Sequence, residues 1–277
     1  MSALRIRSAV TISLVAEAAG GPFVYWGDLE GNAARAKAIG FDAIEVFAPS
    51  ADVLDQARLR SVLSAHQLRL AALGTGAGWL LQRLSLTSPD AAVRERAIAF
   101  IQRIIDAGAP FGAPAILGSM QGRFEGAVSK PQAMEWLAQA LEILGAHAEA
   151  HGTVFLYEPL NRYETNLINR IEDGVTFLES LRTRNVRLLV DLFHANIEEA
   201  DTAAAIRKAG RHVGHIHFVD NHRRAAGTGQ MQYGPVLEAL RQIGYGGYLS
   251  AEAFSQPDAD AAARQTHTAF RQLIPTP

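Results

Sequence analysis

Four residues of the kind that bind metals or move protons each sit in or close a short apolar run. Glu158 follows Val154-Phe155-Leu156-Tyr157, and Asp191 follows Val186–Val190. His217, with His215 two residues before it, lies in Val213–Val219, and Glu252 lies in Gly247–Ala253. A carboxylate at the end of an apolar strand is costly to bury without a partner, and one such residue alone reads as a hydrogen-bonded structural acid. Four consecutive strands presenting such groups at one level change the balance. Three carboxylates a few ångströms apart repel unless a cation lies between them, and one divalent ion resolves the conflict. Three oxygen ligands and one imidazole form a hard set suited to Mn, Mg or Co more than to a structural zinc. His215 and His217 share a strand face, and His217, nearer the carboxyl end, is the expected ligand. His215 is expected one layer deeper, hydrogen-bonded.

The elements that must position these groups alternate along the whole chain. Expected strands are Val10–Val15, Ala43–Phe47, Leu68–Leu73, Ala113–Gly118, Val154–Glu158, Val186–Asp191, Val213–Val219 and Gly247–Ala253. Between them run amphipathic stretches at helical spacing, among them Leu29–Ile39, Gln56–Ala65, Ala91–Asp106, Pro131–Ala150, Glu172–Leu181, Thr202–Ala209 and Pro235–Ile243. Pro131 is placed for a first helical turn. Eight alternations call for a parallel sheet, which eight strands close into a single (β/α)8 barrel spanning residues 1–277. No repeat or linker interrupts it. A surface helix is expected after Gln256, ending in a loose Pro275-Thr276-Pro277 tail.

Composition narrows the chemistry. The chain has 277 residues, 26 Lys and Arg against 28 Asp and Glu, and no cysteine. The near-neutral balance argues against nucleic acid or a membrane surface as partner. Without cysteine, thiolate nucleophiles and Cys-based zinc sites are excluded. The opening Met1–Arg7 lacks the apolar run of a signal peptide and no long apolar span follows, so the expected compartment is the cytoplasm.

These residues resemble the xylose-isomerase-like barrel superfamily, in particular its sugar isomerase and ketose 3-epimerase branch. The resemblance is carried by Glu158-Pro159-Leu160-Asn161-Arg162-Tyr163-Glu164, Asp191-Leu192-Phe193-His194, His215–Arg223 running into Gly227-Thr228-Gly229, and Gly247–Glu252. Weaker echoes are Gly40–Glu45 and Leu73-Gly74-Thr75-Gly76. The resemblance implies that Glu158, Asp191, His217 and Glu252 ligate the metal and that Glu158 and Glu252 double as acid and base. It implies that His194 and Arg223 hold the substrate around its carbonyl, that Glu164 contacts a hydroxyl, and that the chain forms a homodimer or homotetramer. The chemistry is coherent: a proton alpha to a ketone is weakly acidic, so a metal-stabilised cis-enediolate and two bases on opposite faces suit 3-epimerisation of a free sugar.

Each supporting residue has a plainer alternative: His194 as a cap, Arg223 as a solvated charge, Glu164 as a partner of Arg162 or Arg170. Phe23, Tyr25, Trp26 and Trp79 either wall the pocket or pack loops. His66, His147, His151 and His212 read as surface or packing residues. His222 and Ala226 stand where ketose 3-epimerases usually carry Asn and a Pro-Gly turn, so the substrate loop departs from the pattern. An isomerase, epimerase or dehydratase acting on a sugar phosphate, inosose or keto acid would use the same ligands. A non-catalytic sugar-binding protein would not need both glutamates, and the superfamily's DNA endonuclease would need more histidines and a basic surface.

Overall fold

The computed structural model describes residues 6–274. Met1–Arg5 and the Pro275–Pro277 tail, on which the reading of the amino terminus and of the loose end rests, lie outside the described residues. The barrel strands are β1 (Arg7–Ser13), β2 (Ala43–Phe47), β3 (Arg69–Gly74), β4 (Ala115–Leu117), β5 (Phe155–Tyr157), β6 (Val186–Asp191), β7 (Val213–His217) and β8 (Tyr248–Ala251). Each pairs in parallel with its sequence neighbour, and β1 closes on β8 through Arg7↔Tyr248 to Val10↔Ala251. A two-residue strand, Tyr25–Trp26, adds to the outer end of β1. The result is the expected closed eight-stranded barrel ringed by helices.

The principal helices are Leu29–Ile39, Gln56–His66, Ala91–Gly108, Lys130–Ala150, Ile171–Ser180, Thr202–Ala209, Tyr233–Gln242 and Ala259–Leu273. They match the amphipathic stretches to within two residues, and side-chain caps mark the starts of five of them. Asp55, Asp90, Ser129, Asp201 and Asp258 each accept a hydrogen bond from a first-turn backbone N–H. Apolar faces such as Ile101, Ile104, Leu137, Leu141 and Leu144 are fully buried between helices and sheet. Truncating one of these side chains to alanine costs about 2–5 kcal/mol, transfer and cavity terms together. No helix among the described residues is long and apolar enough to cross a membrane.

Several strand ends at the site differ from expectation. Glu158 and Glu252 fall one residue beyond β5 and β8, and β7 stops at His217 rather than Val219. The residues beyond these ends leave the ladder at the barrel mouth. Two short helices, Ala77–Gln82 and Leu192–Glu198, form at that mouth.

A register shift between β6 and β7 sets the floor of the site. Leu188 pairs with Val213 but Leu189 pairs with His215, leaving Gly214 as the extra residue. A Cβ at Gly214 would lie 2.5 Å from Arg187 Cβ and 2.8 Å from Leu156, so only glycine fits the bulge. Beyond it Asp191 sits opposite His217.

Candidate active site

Around His217 the structure brings together the four sequence-predicted ligands. Its Nδ1 lies 3.3 Å from Asp191 Oδ2, 3.5 Å from Glu252 Oε2 and 3.6 Å from Glu158 Oε1. All four residues face the barrel axis at the carboxyl end. Asp191 also caps the helix Leu192–Glu198, its Oδ1 accepting from Phe193 N at 2.7 Å, so Oδ2 alone turns into the site. Glu158 approaches so closely over Gly118 that a Cβ there would lie 2.8 Å from its Oε2. Gln121 fixes the same turn by donating to the Glu158 carbonyl at 2.9 Å and accepting from Tyr157 Oη at 2.8 Å.

The electrostatics call for a cation. Burial pushes Glu158 well above the usual carboxylate range; His217 and Arg223 work against this, while Glu252 and Asp191 add to it. For Asp191 burial also opposes ionisation, but His194, His217 and Arg223 outweigh it and hold the carboxyl low. Burial would lower His217, yet the carboxylates of Glu252, Glu45 and Asp191 raise it well above the ordinary imidazole value. Glu158 Oε1 and His194 Nε2 are buried without a hydrogen-bond partner. Ligand atoms of Glu158, Asp191 and His217 lie within 4.8 Å of one another. An oxygen-rich, one-imidazole donor set with an unpartnered carboxylate oxygen fits a divalent ion of the Mn or Mg kind.

The pattern of strand-end residues misses Glu45. It lies in the middle of β2, buried, with Oε1 3.1 Å from His217 Nε2 and Oε2 2.8 Å from His215 Nε2. Burial raises its pKa, but His217 and His215 outweigh that and hold the carboxylate ionised. Accepting from His217 Nε2–H fixes the tautomer and leaves Nδ1 facing the three site carboxylates, the outer carboxylate arrangement common behind metal-bound imidazoles. The signal was present: Glu45 is an acid inside the apolar run Ala43–Phe47, but mid-strand rather than at a strand end.

His194 is oriented from its far side. Its Nδ1 lies 2.7 Å from Asn161 Nδ2 and accepts from Asn161 N at 3.3 Å, so Nε2 carries the proton. Burial lowers its pKa, with Asp191 opposing. Nε2 points inward, 3.8 Å from both Glu158 Oε1 and Asp191 Oδ2. Arg223 Nη2 donates to Glu252 Oε2 at 2.8 Å and Nη1 to Glu164 Oε1 at 3.3 Å, while the guanidinium lies over the Phe193 ring. Thus Arg223 is not a solvated charge, and Glu164 pairs with it and with Asn161; Arg162 and Arg170 pair instead with Glu198 and Glu199.

The loop that carries Arg223 is organised by Asp220. This buried carboxylate accepts from the backbone N–H of Asn221, Gly227 and Met231 and from Tyr233 Oη. Burial raises its pKa, but the N–H groups of Gly229, Asn221 and Met231 lower it further. The Gly227 and Gly229 amides therefore serve an internal anion. Of the aromatics, Phe23 lines the site cavity and stacks on Phe47 at 4.6 Å, with Trp26 edge-on to it. Tyr25 is buried and donates to Asp260, and Trp79 borders an adjoining groove. His147 and His151 approach Asp106 and His212 approaches Glu179, all away from the site.

A family model described as the xylose isomerase-like TIM barrel matches residues 33–273. The chain belongs to that family. It is 31% identical over 251 residues to an L-ribulose 3-epimerase of Mesorhizobium japonicum, covering 89% of this chain and 82% of that protein. It is 30% identical over 220 residues to a D-psicose 3-epimerase of Ruminiclostridium cellulolyticum, covering 78% and 75%. A solved L-ribulose 3-epimerase superposes with a TM-score of 0.83 at 26% identity, covering 97% of this chain and 94% of that one. These relatives are isomerase-class enzymes acting on sugars, and this family member belongs to the same enzyme class.

Proposed function

We propose that this chain is a metal-dependent ketose 3-epimerase in which Glu158 and Glu252 act as the acid–base pair. The observation that carries the reading is the convergence of two glutamates from different strands on one imidazole nitrogen, at 3.6 and 3.5 Å, with a cationic arginine on one of them. Glu158, Asp191, His217 and Glu252 would hold the divalent ion, whose charge would make the proton next to the substrate carbonyl more acidic. One glutamate removes the carbon 3 proton and leaves the electron pair as an enediolate. The other returns a proton to the opposite face of the same carbon, and the configuration inverts. Arg223 stays cationic despite burial because Glu252, Asp191 and Glu164 surround it, and it suits the developing negative oxygen. His194, with Nε2–H inward, supplies a second donor. The relatives named as ketose 3-epimerases support the substrate class. A phosphorylated substrate finds less support, since the Gly227 and Gly229 amides already serve Asp220.

The test is deuterium exchange. Chelator-stripped protein is reloaded with Mn, Co or Mg and incubated with D-psicose, L-ribulose and related free ketoses in deuterated water, with products read by NMR. Deuterium at carbon 3 together with a new epimer is expected. Glu252→Gln is expected to reduce the rate by about 10²- to 10⁴-fold. Exchange at carbon 1 with aldose formation would contradict the assignment.

A further inference from the structure

The cavity over the four ligands is small, about 200 Å³, but it does not end at the barrel mouth. A groove of about 480 Å³ continues from it, and the two spaces share Ser119, Leu160 and Glu164 as their common wall. The inner cavity lies below the roughly 300–1,000 Å³ usual for a ligand site, whereas the groove alone falls within it.

The groove is built rather than incidental. Its floor is pinned between the segments that follow β3 and β4: Thr87 Oγ1 donates to the carbonyls of Gln121 and Arg123 at 3.1 Å, and Leu86 N donates to Met120 O at 2.9 Å. Arg94 holds the outer corner by donating to Ser88 O at 2.6 Å while stacking on Trp136. On the rim stands Trp79, 38% exposed. Arg83 ends the helix Ala77–Gln82 in a left-handed conformation, φ +55°, with its guanidinium 5.4 Å from the Trp79 ring centre. The Arg83 backbone N–H donates to Trp79 O at 3.0 Å, while among the described residues its side chain makes no hydrogen bond or ion pair, so its five guanidinium donors face the groove and solvent. Arg123 and Glu125 lie on the opposite lip, 3.8 Å apart.

The chemistry of this wall selects its ligand. A phosphate would want several uncompensated cations and free backbone N–H groups, but Arg123 lies 3.8 Å from Glu125 and Glu164 adds a second carboxylate to the lining, which leaves Arg83 as the one groove arginine without an acidic partner among the described residues. An indole edge together with donors and acceptors of both signs matches a neutral ring bearing many hydroxyls. We infer that this enzyme takes a ketose carrying a second sugar ring: the ketose unit occupies the inner cavity and the distal ring lies in the groove against Trp79 and Arg83. The inference rests on the epimerase reading for the inner cavity only, since the groove is defined by its own residues.

Two measurements test it. In the first, Mn-loaded protein is mixed with glucosyl-ketohexose disaccharides linked through O4, O5 or O6, and saturation-transfer NMR reads which ring protons contact protein. Both rings of at least one disaccharide are expected to receive saturation, with the glucosyl ring losing it in Trp79→Ala. Contact confined to the ketose ring would overturn the inference, whatever the catalytic outcome. In the second, kcat/KM for carbon 3 exchange is compared between that disaccharide and the free ketose. A ratio of about ten or more is expected, carried mostly by KM and falling toward one in Trp79→Ala and in Arg83→Ala. A ratio near one in the wild type, a ratio untouched by either variant, or a stronger preference for a ketose 6-phosphate would each overturn it. Retained thermal midpoints in both variants separate lost contacts from lost folding. If no sugar exchanges deuterium, the epimerase reading fails and the binding measurement still decides the groove.

Discussion

Two of the histidine–carboxylate clusters among the described residues behave oppositely. At the mouth, His217 faces Glu158, Asp191 and Glu252; between the helices Ala91–Gly108 and Lys130–Ala150, His147 and His151 face Asp106. Ligand atoms of Glu158, Asp191 and His217 lie within 4.8 Å of one another, and so do those of Asp106, His147 and His151. The helix cluster carries one carboxylate for two imidazoles, its side chains are 25–45% exposed, and His147 Nε2 lies 2.6 Å from Asp106 Oδ1. Water and that hydrogen bond satisfy it. The mouth cluster has three carboxylates for one imidazole, all buried or nearly so, and leaves Glu158 Oε1 and His194 Nε2 without partners. Proximity of ligand-type side chains is common to both; burial with uncompensated charge belongs to one.

Mutations should separate the clusters sharply. Glu158→Gln and Asp191→Asn are expected to lower carbon 3 exchange by more than 10²-fold, while His147→Ala stays within about twofold of wild type; initial rates at saturating Mn decide this. A large effect at His147 would collapse the distinction. Next in size is Glu45→Gln, which removes the acceptor behind His217 Nε2 and should weaken metal binding about 10- to 100-fold while leaving the fold intact. Titration calorimetry with Mn reads that loss directly.

Asp220→Asn should act through the loop, raising KM for the ketose several-fold more than it lowers kcat, because Arg223 loses its support. The same carboxylate gives a pH signature. Its folded pKa is depressed, so its stabilisation is complete above the ordinary aspartate value of about 4 and is lost as pH falls through the folded value. Acid unfolding followed by circular dichroism should accordingly begin at higher pH in Asp220→Ala than in Asp106→Ala. Asp106→Ala should be the smallest perturbation of all, within about 1 kcal/mol in denaturant unfolding, as for an exposed ion pair.

Much of this was legible in the residues, for physical reasons that also explain what was not. Alternating apolar runs and helix caps such as Asp90 and Ser129 leave little freedom in the barrel's order, since a strand covered on both faces must be apolar and a helix start needs an acceptor. Glu158, Asp191, His217 and Glu252 stood out because each breaks an apolar run at one end of a strand. Glu45 breaks a run too, yet a mid-strand carboxylate declares itself only when the facing strand is known to supply His215 and His217. Glu164 paired with Arg223 across 59 positions, and the role of Asp220 as the acceptor for its own loop, depend on loop paths that no local pattern encodes.

The central claim is that the mouth cluster, and not its counterpart between the helices, holds a divalent ion. Calorimetric titration of chelator-stripped protein with Mn tests it, run in parallel on wild type, Asp191→Asn and the His147→Ala/His151→Ala double variant. One ion per chain in the wild type and in the double variant, with binding lost in Asp191→Asn, is the predicted result. No binding to the wild type, or binding that survives Asp191→Asn and disappears in the double variant, would contradict it.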